Sequence, residues 1–248
     1  MAQHSSIEWT DHTFNPWWGC TKVSDGCKFC YAEAIANRYG QAVWGPTATR
    51  RTFGENHWRE PLKWNDAAEK LGERARVFCA SMADVFDERA PVEEREKLWE
   101  LIRRTPYLDW QILTKRPQLI AEHLPLDWGD GYENVWLGTS VEDERVIHRI
   151  QQLANVPATV HFLSLEPLIG PLLDLPLNDI QWVIVGGESG PKSRPVSAVW
   201  VEEIRQQCET SQVPFFFKQW GGFRKKQAGR ELNGRFYNEM PRVAQTAR

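Results

Sequence analysis

Cys20, Cys27 and Cys30 fall within eleven positions, in the stretch "WWGCTKVSDGCKFCYAE" (17–33), and the chain has only two other cysteines, Cys79 and Cys208. Three thiols on one short loop suggest metal chemistry. A disulfide would use two of them and leave one over. Thiolates are soft donors, so three of them suit a [4Fe–4S] cube with one iron left open to another ligand. They equally suit zinc, provided a fourth ligand closes the site. His12, a histidine further on, or Cys79 could supply it, although Cys79 lies inside an apolar run, as a buried strand residue would.

The rest of the chain narrows the choice. Its 248 residues, 42% of them hydrophobic, are enough for one large α/β domain. A formal charge of −3 argues against a protein coated for bulk nucleic-acid binding. The start, "MAQHSSIEWTDH", lacks the regions of a signal peptide, and no apolar run is long enough to cross a membrane. The expectation is a cytoplasmic protein with no membrane partner, and cytosolic thiols stay reduced, which disfavours the disulfide. The 13 tryptophans are read as core and rim packing rather than as a base-stacking surface.

Positioning the thiols requires a scaffold, and the sequence suggests one. Apolar runs recur as "RVFCAS" (76–81), "WQILTK" (110–115), "VWLGTS" (135–140), "VHFLSLEP" (160–167), "WVIVGGES" (182–189) and "PFFFKQW" (214–220). Their continuous apolar character is that of parallel strands buried on both faces. Between them, "PVEEREKLWELIRR" (91–104), "VEDERVIHRIQQLA" (141–154) and "SAVWVEEIRQQCET" (197–210) show helical spacing, whereas the breakers in 168–181 predict a loop. With "TFNPWWGC" as a first strand, the pattern predicts an α/β fold. It is a partial or open (β/α) barrel of about six to seven mainly parallel strands, with a doubly wound sheet as the alternative. Residues 1–217 would form the barrel and 218–248 a basic C-terminal cap or hairpin, with eight Lys or Arg against two Glu.

In parallel α/β folds, functional groups collect beyond the carboxyl ends of the strands. Here those positions hold Cys20, Cys27 and Cys30; Ser81 and Asp84; Lys115 and Arg116; Ser140 and Glu142; Glu166; and Gly186, Gly187 and Glu188. Lys218 and Gln219 follow the last run. Each polar residue has a plain structural reading as a cap, a turn bond or a solvated charge. Their convergence on one end is the stronger signal.

With these residues in place, "CTKVSDGCKFC" resembles the CxxxCxΦC signature of the radical S-adenosylmethionine (radical SAM) superfamily, with Phe29 as the aromatic Φ. The first gap is lengthened here to six residues. Along almost its full length the chain also resembles a phage-type three-cysteine family, through "LTKRP", "SLEPLIGP", "VGGESGPKSRP" and "FFKQWGG". The superfamily resemblance implies that Cys20, Cys27 and Cys30 hold a [4Fe–4S] cluster whose open iron chelates the amine and carboxylate of SAM. An electron from a donor such as flavodoxin or ferredoxin would cleave SAM to a 5′-deoxyadenosyl radical, which abstracts hydrogen from a substrate.

The superfamily's GGE-like motif for the SAM amine is absent after the second strand. "SMAD" stands there, which leaves Ser81 and Asp84 for that role. The resemblance further implies SAM contacts from Lys115 or Arg116 to its carboxylate and from Ser140 and Glu142 to its ribose. Gly186 and Gly187 would allow close approach of adenine or ribose, and Glu166 and Glu188 complete the candidate set. The basic tail, with Trp220, Phe223, Phe236 and Tyr237, suggests a nucleotide or nucleic acid as substrate. Two rival readings stand beside this one. One is a zinc-binding adaptor for nucleic acid using the same cysteines. The other is a hydrolase or transferase in which Glu166 and Glu188 act as a carboxylate pair.

Overall fold

Each apolar run becomes a strand, and the order of strands in the sheet is their order in the chain. The computed structural model describes residues 5–223 and 225–243. Its strands are β1 (His12–Phe14), β2 (Ala75–Cys79), β3 (Leu108–Thr114), β4 (Val135–Ser140), β5 (Val160–Leu165), β6 (Trp182–Gly186) and β7 (Phe215–Gln219). All six neighbouring pairs are parallel. The sheet curls into a half-barrel with helices around it. The open barrel, rather than the doubly wound sheet, is therefore the architecture.

The helices are α1 (Tyr31–Arg38), α2 (Glu55–Trp58), α3 (Glu60–Leu71), α4 (Val92–Arg103), α5 (Ile120–His123), α6 (Arg149–Ala154), α7 (Ala198–Thr210) and α8 (Lys225–Ala228). Pro91 caps α4, and residues 168–181 contain neither helix nor strand, as expected. Two expectations needed adjustment. β1 stops at Phe14, ahead of Pro16, which has no N–H to give a ladder. Residues 141–154 form a tight 3₁₀ turn (Glu144–Val146) before α6 instead of one helix. The Asp143 carboxylate accepts bonds from both the backbone and the guanidinium of Arg145 and pins that turn.

The sheet separates two cores. Outward-facing residues such as Val77, Ile112, Leu137, Leu163 and Val185 pack under the helices. Inside the curl, Phe78, Trp136, Phe162, Trp182 and Phe216 form an aromatic floor, sealed by Trp9 before β1 and by Met240 and Val243 near the other terminus. The rings meet largely edge to face, as between Trp182 and Trp136 at 6.1 Å and 89°. Trp17, Trp110 and Trp182 are fully buried, in keeping with the packing role expected of the tryptophans.

The C-terminal segment runs antiparallel to β7, where Phe217 N donates to Tyr237 O at 3.0 Å, and Trp182 Nε1 donates to Glu239 O at 2.8 Å. It caps the end of the sheet, and β7 itself extends to Gln219, two residues into the stretch set apart as a cap. Of the tail's basic residues, Arg224 and Arg248 and the side chains of Lys225 and Lys226 lie outside what is described. Among the described residues, no helix is long and apolar enough to cross a membrane.

Candidate metal and cofactor site

Side chains alternate along a strand. An even number of positions past the floor, the strands therefore present inward residues at the carboxyl end: Lys115, Ser164 and Lys218 two positions on and, with Gly138 between, Ser140 four positions past Trp136. The cysteine loop leaves β1 and folds against this mouth. Cys27 ends a 3₁₀ turn (Asp25–Cys27), and Cys30 is the residue that caps α1. All three thiols are free; Cys27 is buried and the other two are half-buried.

The loop is fastened from several strands. Asn15 bonds the Ser81 hydroxyl (3.0 Å) and accepts from Met82 N (2.7 Å). Thr21 N donates to Asp87, which is ion-paired with the buried Arg50 at 2.7 Å. Ser24 Oγ donates to Glu142 at 3.3 Å. Gly26 lies so close to Glu142 that a Cβ there would stand 2.4 Å from its side chain and force that buried carboxylate to shift. From beyond β6, Arg194 donates to Asp25 O at 3.1 Å and lies over the Phe29 ring, 5.4 Å from its centroid.

Four groups of charges line the mouth. Asp84 is 5% exposed and accepts from Thr114 Oγ1 (2.7 Å), Lys115 N (3.1 Å) and Arg116 Nη1 (2.9 Å). Glu142, 1% exposed, takes Lys115 Nζ at 2.6 Å and Arg149 Nη1 at 2.9 Å, while Arg149 also donates to Ser140 O. Lys218 Nζ holds both oxygens of Glu166 (2.8 and 2.7 Å), and Gln219 bridges Glu166 to Ser189. Glu188 is clasped by Arg194 through Nε, Nη2 and the backbone N–H.

Burial and the neighbouring Asp84 push the Cys20 thiol up to about 12, against the pull of Arg116. Burial likewise raises Cys30. For Lys115, burial opposes the charge, but the Glu142 carboxylate and the Cys27 sulfur outweigh it and hold the ammonium above its ordinary range. Thiols of this kind are protonated when free, so a metal binding there must displace their protons.

The structure thus gathers the candidate residues at one end, each already partnered by the chain itself. Gly187 is needed because a Cβ would stand 2.1 Å from Trp220 O, and a Cβ on Gly186 would crowd Glu166 at 3.1 Å. Both close approaches come from this chain. Glu166 and Glu188 are each ion-paired with a cation of this chain, Lys218 and Arg194 respectively.

Asn15, Asp87, Arg50, Arg149 and Arg194 were missed from sequence. The one available signal was for Arg194, which follows the GGES turn in "GPKSRP". Three of the possible fourth zinc ligands have other partners. Cys79 packs in the outer core, His12 stacks on Trp64 at 4.5 Å, and the His57 ring nitrogen bonds Asn15 O at 2.8 Å. Among the described residues, no three His, Cys, Asp or Glu side chains converge as a single ion requires. A cube takes each thiolate on a different iron and needs no such common point.

Fold and site together define a parallel (β/α) half-barrel that carries three free thiols on the loop after its first strand. A family model described as a protein of unknown function (DUF5131) matches residues 4–241, and the chain belongs to that family. No curated protein sequence matches it. Among solved structures, a mutant of spore photoproduct lyase, a radical SAM enzyme, has a similar fold. The TM-score is 0.50 at 14% identity, covering 76% of this chain and 59% of that one. A double mutant of the same enzyme with bound AdoMet and dinucleoside spore photoproduct matches with a TM-score of 0.46 at 11% identity, over 82% and 62%. The chain spans about three fifths of the length of these lyases. At such identities the likeness is one of fold.

Proposed function

We propose that this protein is a radical SAM enzyme in which Cys20, Cys27 and Cys30 ligate a [4Fe–4S] cluster with one iron open for SAM. The observation that carries the reading is the set of three free thiols on one loop at the carboxyl mouth of a parallel half-barrel, with no metal-binding group of His, Cys, Asp and Glu side chains among the described residues. When bound, the cluster and SAM supply reductive cleavage of a sulfonium and, through it, radical hydrogen abstraction.

The chain's own residues hold, orient and seal. Lys115 would pair with the SAM carboxylate, and Ser81 would accept from its amine, with Asp84 beside it held by Thr114, Lys115 N and Arg116. Ser140 and Glu142 would meet the ribose hydroxyls, and the backbone at Gly186 and Gly187 would flank the base. The aromatic floor keeps water out of the lumen from below, which protects a reactive species from quenching. An electron donor of the flavodoxin or ferredoxin class would serve the half-exposed side of the cysteine loop.

The proposed substrate is a nucleotide or nucleic acid. Its support is the tail, where the Arg230 guanidinium lies 4.9 Å from the Phe216 ring centroid and 5.8 Å from that of the exposed Phe236. The zinc adaptor loses ground because Cys79 is packed in the outer core and His12 is stacked on Trp64.

The test is to add SAM to the reduced, anaerobic protein while recording its electron paramagnetic resonance (EPR) spectrum, then to assay 5′-deoxyadenosine. A changed signal and a released nucleoside are expected. A spectrum indifferent to SAM, with no nucleoside formed, would refute the reading.

A further inference from the structure

Arg116 follows β3 and turns its side chain inward, with 3% exposure. Nη1 donates to Asp84 at 2.9 Å and to the Cys20 sulfur at 3.7 Å; Nη2 donates to Thr21 O at 2.5 Å and lies 3.7 Å from Asp87. Both ends of the guanidinium are therefore taken, and no free fork is left for a ligand carboxylate. Its anionic partners are held in turn. Asp84 is fixed by Thr114 and by two backbone N–H groups, and Asp87 by Arg50 and the Thr21 N–H.

Two buried arginines and two buried aspartates thus balance one another around a single thiol. Buried ion pairs are a costly way to hold a loop when apolar packing would serve. A donor aimed at a cluster sulfur, by contrast, stabilises the negative charge that a reduced cluster gains.

We infer that Arg116 is a positioning residue for Cys20: it fixes the first thiol of the loop, donates an N–H···S bond to it, and raises the reduction potential of the cluster, and it does not bind SAM. The inference rests on the iron–sulfur reading above. The prediction of a SAM contact at Arg116 is replaced by this role, and Lys115 keeps its own.

The experiment is an EPR-monitored potentiometric titration of the full chain, purified and reconstituted without oxygen, as wild type, Arg116→Lys, Arg116→Gln and Asp87→Asn. Iron and sulfide content and thermal unfolding are measured alongside. Arg116→Gln is expected to keep its cluster at a more negative potential, with Arg116→Lys shifted less. Asp87→Asn removes a counter-charge from the guanidinium and is expected to shift the potential the other way. SAM should perturb the spectra of the Arg116 variants at wild-type concentrations.

An Arg116→Gln potential equal to wild type would overturn the inference, leaving a purely structural residue. So would a tenfold loss of SAM affinity at unchanged potential, which would make Arg116 a SAM ligand. If Arg116→Gln does not fold, Arg116→Lys and the opposite shift in Asp87→Asn decide. Wild-type protein without iron and sulfide would defeat the underlying reading itself, a result seen before any variant is made.

Discussion

The floor and the mouth of the half-barrel are built on the same strands and the residues just past them, and they spend burial in opposite ways. On the floor, Trp136, Phe162, Trp182 and Phe216 fill the lumen with rings and polar atoms are few. At the mouth, Lys115, Glu142, Glu166 and Lys218 face the same enclosed space with charges that must be matched one by one. Apolar burial stabilises without direction. Buried charge is tolerated only in fixed geometry and contributes little net stability. The floor therefore holds the fold together, while the mouth carries groups whose partners a ligand can replace.

Ranked by effect on stability, the first prediction concerns the floor. Trp182→Ala removes a fully buried ring that meets Trp9, Trp136 and Phe216, and it should cost about 3–5 kcal/mol in denaturant unfolding. A loss under about 1 kcal/mol would mean that the floor is not what holds the curl. Next, Glu142→Gln leaves Lys115 and Arg149 facing each other without a counter-charge, and a loss of about 3 kcal/mol is expected.

Gly138→Ala should cost about 1–3 kcal/mol, because its Cβ would stand 2.4 Å from the Phe162 ring and force the floor to shift. In the half-exposed pair, Glu166→Gln alone should cost about 1 kcal/mol, and the double change with Lys218→Met less than either single change. If the double change is the more costly, the pair is a structural element and the contrast between floor and mouth weakens. Smallest of all, replacing Cys20, Cys27 and Cys30 together by serine should alter the stability of metal-free protein by less than about 1 kcal/mol, yet abolish iron binding. That combination is what separates a functional loop from a packed one.

The same contrast explains what could be read from sequence. The strands were legible because both faces are buried, so continuous runs such as "VWLGTS" match β4 residue for residue. α1 and α3 were not, because no apolar run divides the stretch from 31 to 74 into segments. The signals for α3 were local ones, Pro61 in its first turn and Gly72 in the left-handed conformation at its end (φ 69°). At the site, strand-end residues such as Lys115, Glu142 and Glu166 could be placed by counting past each run. Arg149 and Arg194 could not, since each reaches its partner from a helix or loop whose path is set by tertiary packing. Arg116 was located correctly at the mouth, but its inward turn toward Cys20 depends on Asp84 and Asp87, a relation that no spacing along the chain expresses.

The central claim is tested most directly by measuring iron, acid-labile sulfide and zinc per chain on protein purified without oxygen. The account predicts about four iron and four sulfide, as one cube requires, with zinc absent. Zinc without sulfide would contradict it and make the three thiols a structural metal staple.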